Sequence, residues 1–218
     1  MRIYVGYDTR ENLAYEVCKY SIHKHNPDIE VIPLKLSTMR ELGIYTRDVD
    51  AKASTEFTFS RFLVPYLNNY KGWALFCDCD FLWLNDIKYL FNSIDDKYAV
   101  MCVKHDYTPT SQTKMDGRKQ LLYSRTKWTI KVLWNCGHPN NKKIDVETVN
   151  NETGKYLHRF GWLDDDLIGE IDYSWNWLVG WYIQNKDRKP NAVHFTEGGP
   201  WFQKYKNCEF SDLWRKYQ

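Results

Sequence analysis

Two acids interrupt an otherwise apolar run in Phe76-Cys77-Asp78-Cys79-Asp80-Phe81-Leu82-Trp83-Leu84. Burying two ionised carboxylates without a partner is prohibitively costly, so a cation belongs beside them. The run reads as a strand, and residues two apart along a strand face the same way. Asp78 and Asp80 can therefore both approach one hard divalent cation. The same spacing also suits acids at an exposed strand end, or acids paired with Arg or Lys, so the pattern by itself leaves those readings open.

The elements around the acids set where they can lie. Arg2 to Tyr7 is rich in Ile, Val and Tyr and predicts a first strand. From Glu11 to His25, Leu13, Ala14, Val17, Cys18, Ser21 and Ile22 fall on one helical face, and Asn26-Pro27 ends the helix. A strand over Ile29 to Leu34 follows, then a helix over Phe57 to Tyr70 with Pro65 kinking it or shortening its start, then a strand over Trp73 to Cys77. Strands over Tyr98 to Val103, Thr129 to Trp134 and Ala192 to Phe195, a helix over Val146 to Phe160, and a last helix N-capped by Ser211 complete the reading. Alternating strands and helices argue for an α/β domain with a mostly parallel sheet, in which ligands collect beyond the carboxyl ends of the strands. From Asp106 to Arg125 the chain turns polar, with Thr, Ser, Gln, Lys and Gly crowded together, which predicts a long surface excursion near the site.

A chain of 218 residues is long enough for one domain with a substantial core, and no repeat or low-complexity tract divides it. Charged residues make up 27% and hydrophobic ones 43%, a globular balance. No segment reaches the roughly 18 consecutive apolar residues of a membrane span. Met1 and Arg2 run straight into Ile3-Tyr4-Val5 without the pattern of a signal peptide, so the expected location is cytoplasmic. The six cysteines include no Cys-x-x-Cys pair and fall mostly in apolar stretches, which reads as reduced, buried thiols. A net charge of +2 with scattered basic residues argues against nucleic acid as a partner. Ten Trp and 16 Tyr supply flat faces that can carry a sugar or fill a core.

The acidic segment resembles the Asp-x-Asp motif of the GT-A glycosyltransferases, where the two acids hold manganese or magnesium against a nucleotide-sugar diphosphate. Arg61, seventeen residues before Asp78, stands where the retaining, glycogenin-like and lipopolysaccharide-galactosyltransferase-like members (glycosyltransferase family 8-like) carry an Arg that contacts the donor. A guanidinium fork suits a diphosphate or a pair of sugar hydroxyls. Val193-His194-Phe195-Thr196-Glu197-Gly198-Gly199-Pro200-Trp201 is similar to the family's late His and Gly-Pro-Trp segment. The resemblance makes His194 a third metal ligand and lays the Gly198-Gly199 backbone against the phosphates. Many relatives have a phosphate-neutralising Lys a few residues after this His. Here Glu197 to Pro200 fill the loop, and Lys204 is the substitute further along.

The resemblance extends discontinuously from residue 2 to about 204. Gly6-Tyr7-Asp8 is similar to the first nucleotide-contacting turn, which implies that Tyr7 stacks on uracil, Asp8 accepts from base or ribose, and Arg10 reaches a phosphate. Leu133 to Pro139 looks like the family's Asn-x-Gly turn beneath the sugar, which implies a donor contact from Asn135. Trp162 to Ile168 resembles the segment that approaches the donor sugar, with Asp164 as the sugar-binding acid and Asp165 where relatives often carry Gln. An Asp in place of that amide departs from the pattern.

Together these imply a single GT-A domain over 1–218, with a nucleotide-binding part over 1–105 and a donor-sugar and acceptor part over 106–218. The implied reaction is metal-dependent transfer of a hexose, with retention, from UDP-glucose or next UDP-galactose to a hydroxyl acceptor. The metal is Mn2+ or Mg2+, acting as a Lewis acid on the leaving UDP. Asp106 to Trp128 with Trp175, Trp177 and Trp181 form the expected acceptor side, and no basic amphipathic tail suggests a membrane anchor. The competing readings are a metal-dependent nucleotide-sugar hydrolase, a metal-free glycosidase and a non-catalytic carbohydrate-binding module.

Overall fold

The computed structural model describes residues 1–48, 50, 53–105 and 128–218. In chain order it places β1 (Arg2–Gly6), α1 (Asn12–His25), β2 (Glu30–Leu34), α2 (Leu36–Glu41), α3 (Val64–Leu67), β3 (Trp73–Cys77) and β4 (Phe81–Trp83). There follow α4 (Lys88–Phe91), β5 (Val100–Cys102), β6 (Lys131–Asn135), α5 (Val146–Asn151), α6 (Gly154–His158), β7 (Ile168–Glu170), β8 (Trp177–Leu178), β9 (Ala192–His194) and α7 (Ser211–Arg215).

The main sheet has six strands in the order β2-β1-β3-β6-β5-β7. Five run in one direction and β6 runs against them, because its pairings with β3 and β5 are antiparallel while β1/β2, β1/β3 and β5/β7 are parallel. The sheet is the expected mostly parallel one. Its inner strands read as continuous apolar runs because both faces are covered: Ile3, Val5, Ala74, Leu75, Phe76 and Cys77 are all buried. A second sheet, β4-β9-β8, packs on α1, whose Ser21 hydroxyl accepts from the Trp83 backbone N–H.

Strand direction gives the main sheet a carboxyl edge and an amino edge. Gly6, Cys77 and Cys102 end their strands on one edge, and the reversed β6 brings its first residue, Lys131, to the same edge opposite Cys77. Trp73 and Asn135 pair at the opposite, amino edge. Four residue steps along a strand, about 13 Å, separate the two.

Several predicted helices are shorter than expected, for local reasons. Over the predicted Phe57–Tyr70 helix, a 3-10 turn at Ser60–Leu63 precedes α3, which carries Pro65 in its first turn and ends as Asn69 and Tyr70 take positive φ. The predicted Val146–Phe160 helix breaks at Thr153, whose hydroxyl accepts from the Tyr156 N–H and starts α6 afresh. Ser211 is the first residue of α7 and not its cap, because Phe210 occupies that position in the left-handed region. All six cysteines are free, and five are buried. The predicted excursion over Asp106–Arg125 lies outside the described residues.

Candidate active site

Asp78-Cys79-Asp80 is a turn rather than part of a strand: it links β3 of the large sheet to β4 of the small one. The two acids are therefore not alternate side chains on one face, and each has its own neighbours. Main-chain bonds clamp the turn on both sides, from Asp78 N–H to Ile130 C=O at 3.1 Å and from Phe195 N–H to Asp80 C=O at 3.0 Å. Asp78 forms an ion pair with Arg61 Nη1 at 2.9 Å. That guanidinium is buried, donates to the Phe57 and Thr129 carbonyls, and lies over the Phe57 and Phe76 rings at 5.2 and 5.0 Å. Arg61 is thus the counter-ion of the first acid.

Asp80 turns the other way, with Oδ2 3.3 Å from His194 Nε2. The imidazole stacks on Phe81, and its Nδ1 lies 3.0 Å from the Asn176 amide oxygen. Bonding to an acceptor places the proton on Nδ1, so Nε2 presents a lone pair toward a carboxylate oxygen. Two lone pairs so placed are held together by a cation or a proton, and a second bond that fixes the ring in this way is what metal-ligating histidines have. Asp80 and His194 fit a divalent cation on this ground. Among the described residues no three His, Cys, Asp or Glu side chains are gathered as a ligand set, and Asp78 is held toward Arg61.

The turn after β1 adds further acids to this edge. Asp8 is fully buried and accepts from Arg10 Nε at 2.9 Å, Arg10 Nη2 at 2.7 Å, and the Arg10 and Glu56 N–H groups. Burial pushes its pKa up, but these bonds outweigh burial and hold it below the usual carboxylate range. Tyr7 donates to Asn12 at 2.8 Å and packs edge-on against Tyr15. Gly6 is required because a Cβ there would stand 2.5 Å from the Phe57 ring. A crevice beside this turn is lined by Arg10, Leu36, Tyr45, Ala53, Thr55 and Phe59.

Glu11, read from the sequence only as the start of a helix, is 4% exposed. Burial first, then the charges of Asp80 and Asp8, push its carboxyl up to about 8. A folded-state pKa above the unfolded one makes stability fall as pH rises from about 4.5 to about 8. Glu11→Gln is therefore expected to raise the melting temperature at pH 8.5 by several degrees and to leave it nearly unchanged at pH 5. Thermal denaturation across that range, in chelator, checks it.

Known proteins resemble this chain at two levels. No family model matches it. Protein CDI of Arabidopsis thaliana is 55% identical over 217 residues, covering 98% of this chain and 84% of that protein. The chain belongs to the Protein CDI family. Its fold is GT-A. The structure is similar to the glycosyltransferase GlyE of Streptococcus pneumoniae TIGR4, with a TM-score of 0.65 at 16% identity over 99% of this chain, which spans 59% of GlyE. It is also similar to the galactosyltransferase LgtC, solved with donor and acceptor sugar analogues, with a TM-score of 0.64 at 11% identity over 100% of this chain and 95% of LgtC.

Other expected site residues of this CDI-family chain lie elsewhere. Asn135 is at the amino edge, where its amide donates to the Asp96 and Tyr98 carbonyls, because β6 runs backwards. Asp164 and Asp165 are exposed and immediately precede β7, which is entered at that same edge: Leu167 C=O accepts from Ala99 N–H ahead of β5. These three residues therefore lie at the amino edge, while the Asp78–Asp80 turn lies at the carboxyl edge. Gly198 has φ +124° and closes a turn onto Phe195 C=O, and a Cβ on Gly199 would stand 2.0 Å from Trp201. Lys204 is exposed, with its amine over the Tyr205 ring. Trp175 and Trp177 are buried, and Trp181 is half-buried. Of the remaining expected acceptor region, 106–127 lies outside the described residues.

The site also contains side chains that the sequence reading missed. Thr129 and His158 lie behind Arg61, Asn176 fixes His194, and Lys131 is buried at the amino end of β6. Signals for them are faint: one histidine in a presumed helix and one lysine in a presumed strand.

Proposed function

We propose that this chain is a retaining, divalent-metal-dependent glycosyltransferase that moves a hexose from a UDP-sugar to a hydroxyl acceptor. The observation that carries the reading is the Asp78-Cys79-Asp80 turn facing a tethered His194 at the carboxyl edge of a GT-A sheet. Asp80 and His194 are the proposed metal-holding pair, with Asp78 set beside them by Arg61. A divalent cation there, manganese or magnesium, supplies Lewis-acid neutralisation of the diphosphate.

The other residues act on the donor by position. The Arg10 crevice suits the nucleoside end, and the 1–105 part is the proposed nucleotide-binding half. The Gly198-Gly199 loop and the Arg61 guanidinium supply fixed positive potential where charge develops on the leaving group. A diphosphate leaves without a general acid, which fits a site whose predicted acids Asp164 and Asp165 lie at the other edge. The 106–218 part is the proposed donor-sugar and acceptor half. Among the described residues no helix is long and apolar enough to cross a membrane.

UDP release from a panel of UDP-sugars, in manganese, magnesium or EDTA, tests the reading. The expected result is metal-dependent release, greatest from UDP-glucose and next from UDP-galactose, that accelerates when a hydroxyl acceptor is supplied. Release indifferent to every acceptor would favour a nucleotide-sugar hydrolase. Silence across the panel, with no thermal stabilisation by UDP plus manganese, would leave a carbohydrate-binding module.

A further inference from the structure

We infer that His158 is a positioning residue of this site, acting through Thr129 on the Arg61 guanidinium that holds Asp78. His158 Nδ1 lies 2.8 Å from the Thr129 hydroxyl, a bond that spans 29 positions of sequence. The carbonyl of the same buried threonine accepts from Arg61 Nη1 at 2.9 Å, and that nitrogen is 2.9 Å from Asp78 Oδ1. The next carbonyl, of Ile130, accepts from the Asp78 N–H at 3.1 Å. Two consecutive peptide groups thus set both members of the Arg61–Asp78 pair, and the imidazole fixes the first of them from behind.

The ring also braces the pair from its other flank. It meets Phe62 edge-on at 5.1 Å and Phe59 at 6.2 Å, the residues on either side of Ser60-Arg61. Restarting the helix at Thr153 is what brings His158 to this place, at the last residue of α6. A guanidinium fork delivers its directionality only when its own orientation is fixed. His158 supplies that orientation without touching the Asp78–Asp80 turn.

The affinity readout rests on the transferase reading; a second readout does not. For affinity, His158→Ala and Thr129→Val should each weaken UDP binding in manganese by about 10-fold, the scale seen when a partner that orients a ligand is removed. The double variant should lose no more than either single one. His158→Asn, whose amide can meet the Thr129 hydroxyl, should recover most of the loss at an unchanged melting temperature. Additive losses, or undiminished affinity in folded variants, would overturn the inference. For the second readout, the His158 imidazole 15N shifts should move in Arg61→Lys and in Thr129→Val, whether or not UDP binds. Wild-type protein that ignores UDP while these shifts respond would sink the transferase reading alone. Shifts indifferent to Arg61→Lys would sink the relay.

Discussion

Asp80→Ala is expected to lower metal-dependent UDP release by at least about 100-fold while leaving the fold intact, because residues that merely orient a ligand already cost 10–100-fold. Asp80 has 12% of its side chain exposed, and the His194 ring that it faces stays held by Asn176 and Phe81. The substitution also removes one of the charges that push Glu11 up, which is a small gain in stability. Asp78→Asn should behave differently. Its partner Arg61 is buried, and an uncompensated buried guanidinium costs roughly 3–5 kcal/mol, so this variant should lose stability along with activity. Release assays in manganese paired with thermal denaturation separate the two effects. Wild-type release by a folded Asp80→Ala protein would remove the metal-site reading.

That contrast was only half legible in the sequence. Two acids inside an apolar run announce a cation, and the motif is local, so Asp78 and Asp80 stand out without a topology, while His194 is singled out only by the family resemblance. The main strands followed from apolar runs, and β3 was read with its observed ends. Which edge of a sheet a loop occupies depends on strand direction, and local composition does not encode direction. Asn135, expected in a turn just past the Thr129–Trp134 strand, is the last residue of β6, and because that strand is the reversed one Lys131 and Thr129 take the place at the site. Asp164 and Asp165 fell to the amino edge for the same reason, since β7 must be entered from there. Glu11 was invisible because an acid at a helix start ordinarily faces water, and here it lies buried close to Asp8 and the Asp78–Asp80 turn, which are remote in sequence or in another element. His158 needed the helix break at Thr153, which one N-capping residue decides.

Lys131 provides the second large effect, and its sign is opposite to that of most core substitutions. The residue is 0% exposed and stands opposite Cys77, on the sheet face that meets α1 and the small sheet. Its amine lies 5.9 Å from the Trp83 ring and 5.8 Å from the Trp175 ring, and among the described residues it has no hydrogen-bond partner. Burial pushes its pKa down to about 7, with Cys77, Cys102 and Asp172 opposing only weakly. The unfolded chain holds this proton up to about 10.5, so the unfolded state binds more protons between the two values. Wild-type stability should therefore rise with pH from about 7 toward 10. Lys131→Met keeps the length of the side chain and removes the buried charge. It should be more stable than wild type by about 2–5 kcal/mol at pH 7, the lower figure allowing for the lost cation–π attraction. For a chain of this size that is a rise of about 5–15 °C in melting temperature. The advantage should be largest at pH 7 and below and should shrink by pH 9.5, because the wild-type amine is then neutral in the folded protein and losing its proton in the unfolded chain. A Lys131→Met protein less stable than wild type at every pH would mean that the amine is satisfied in its pocket, and that the two indole faces hold it as a charged group.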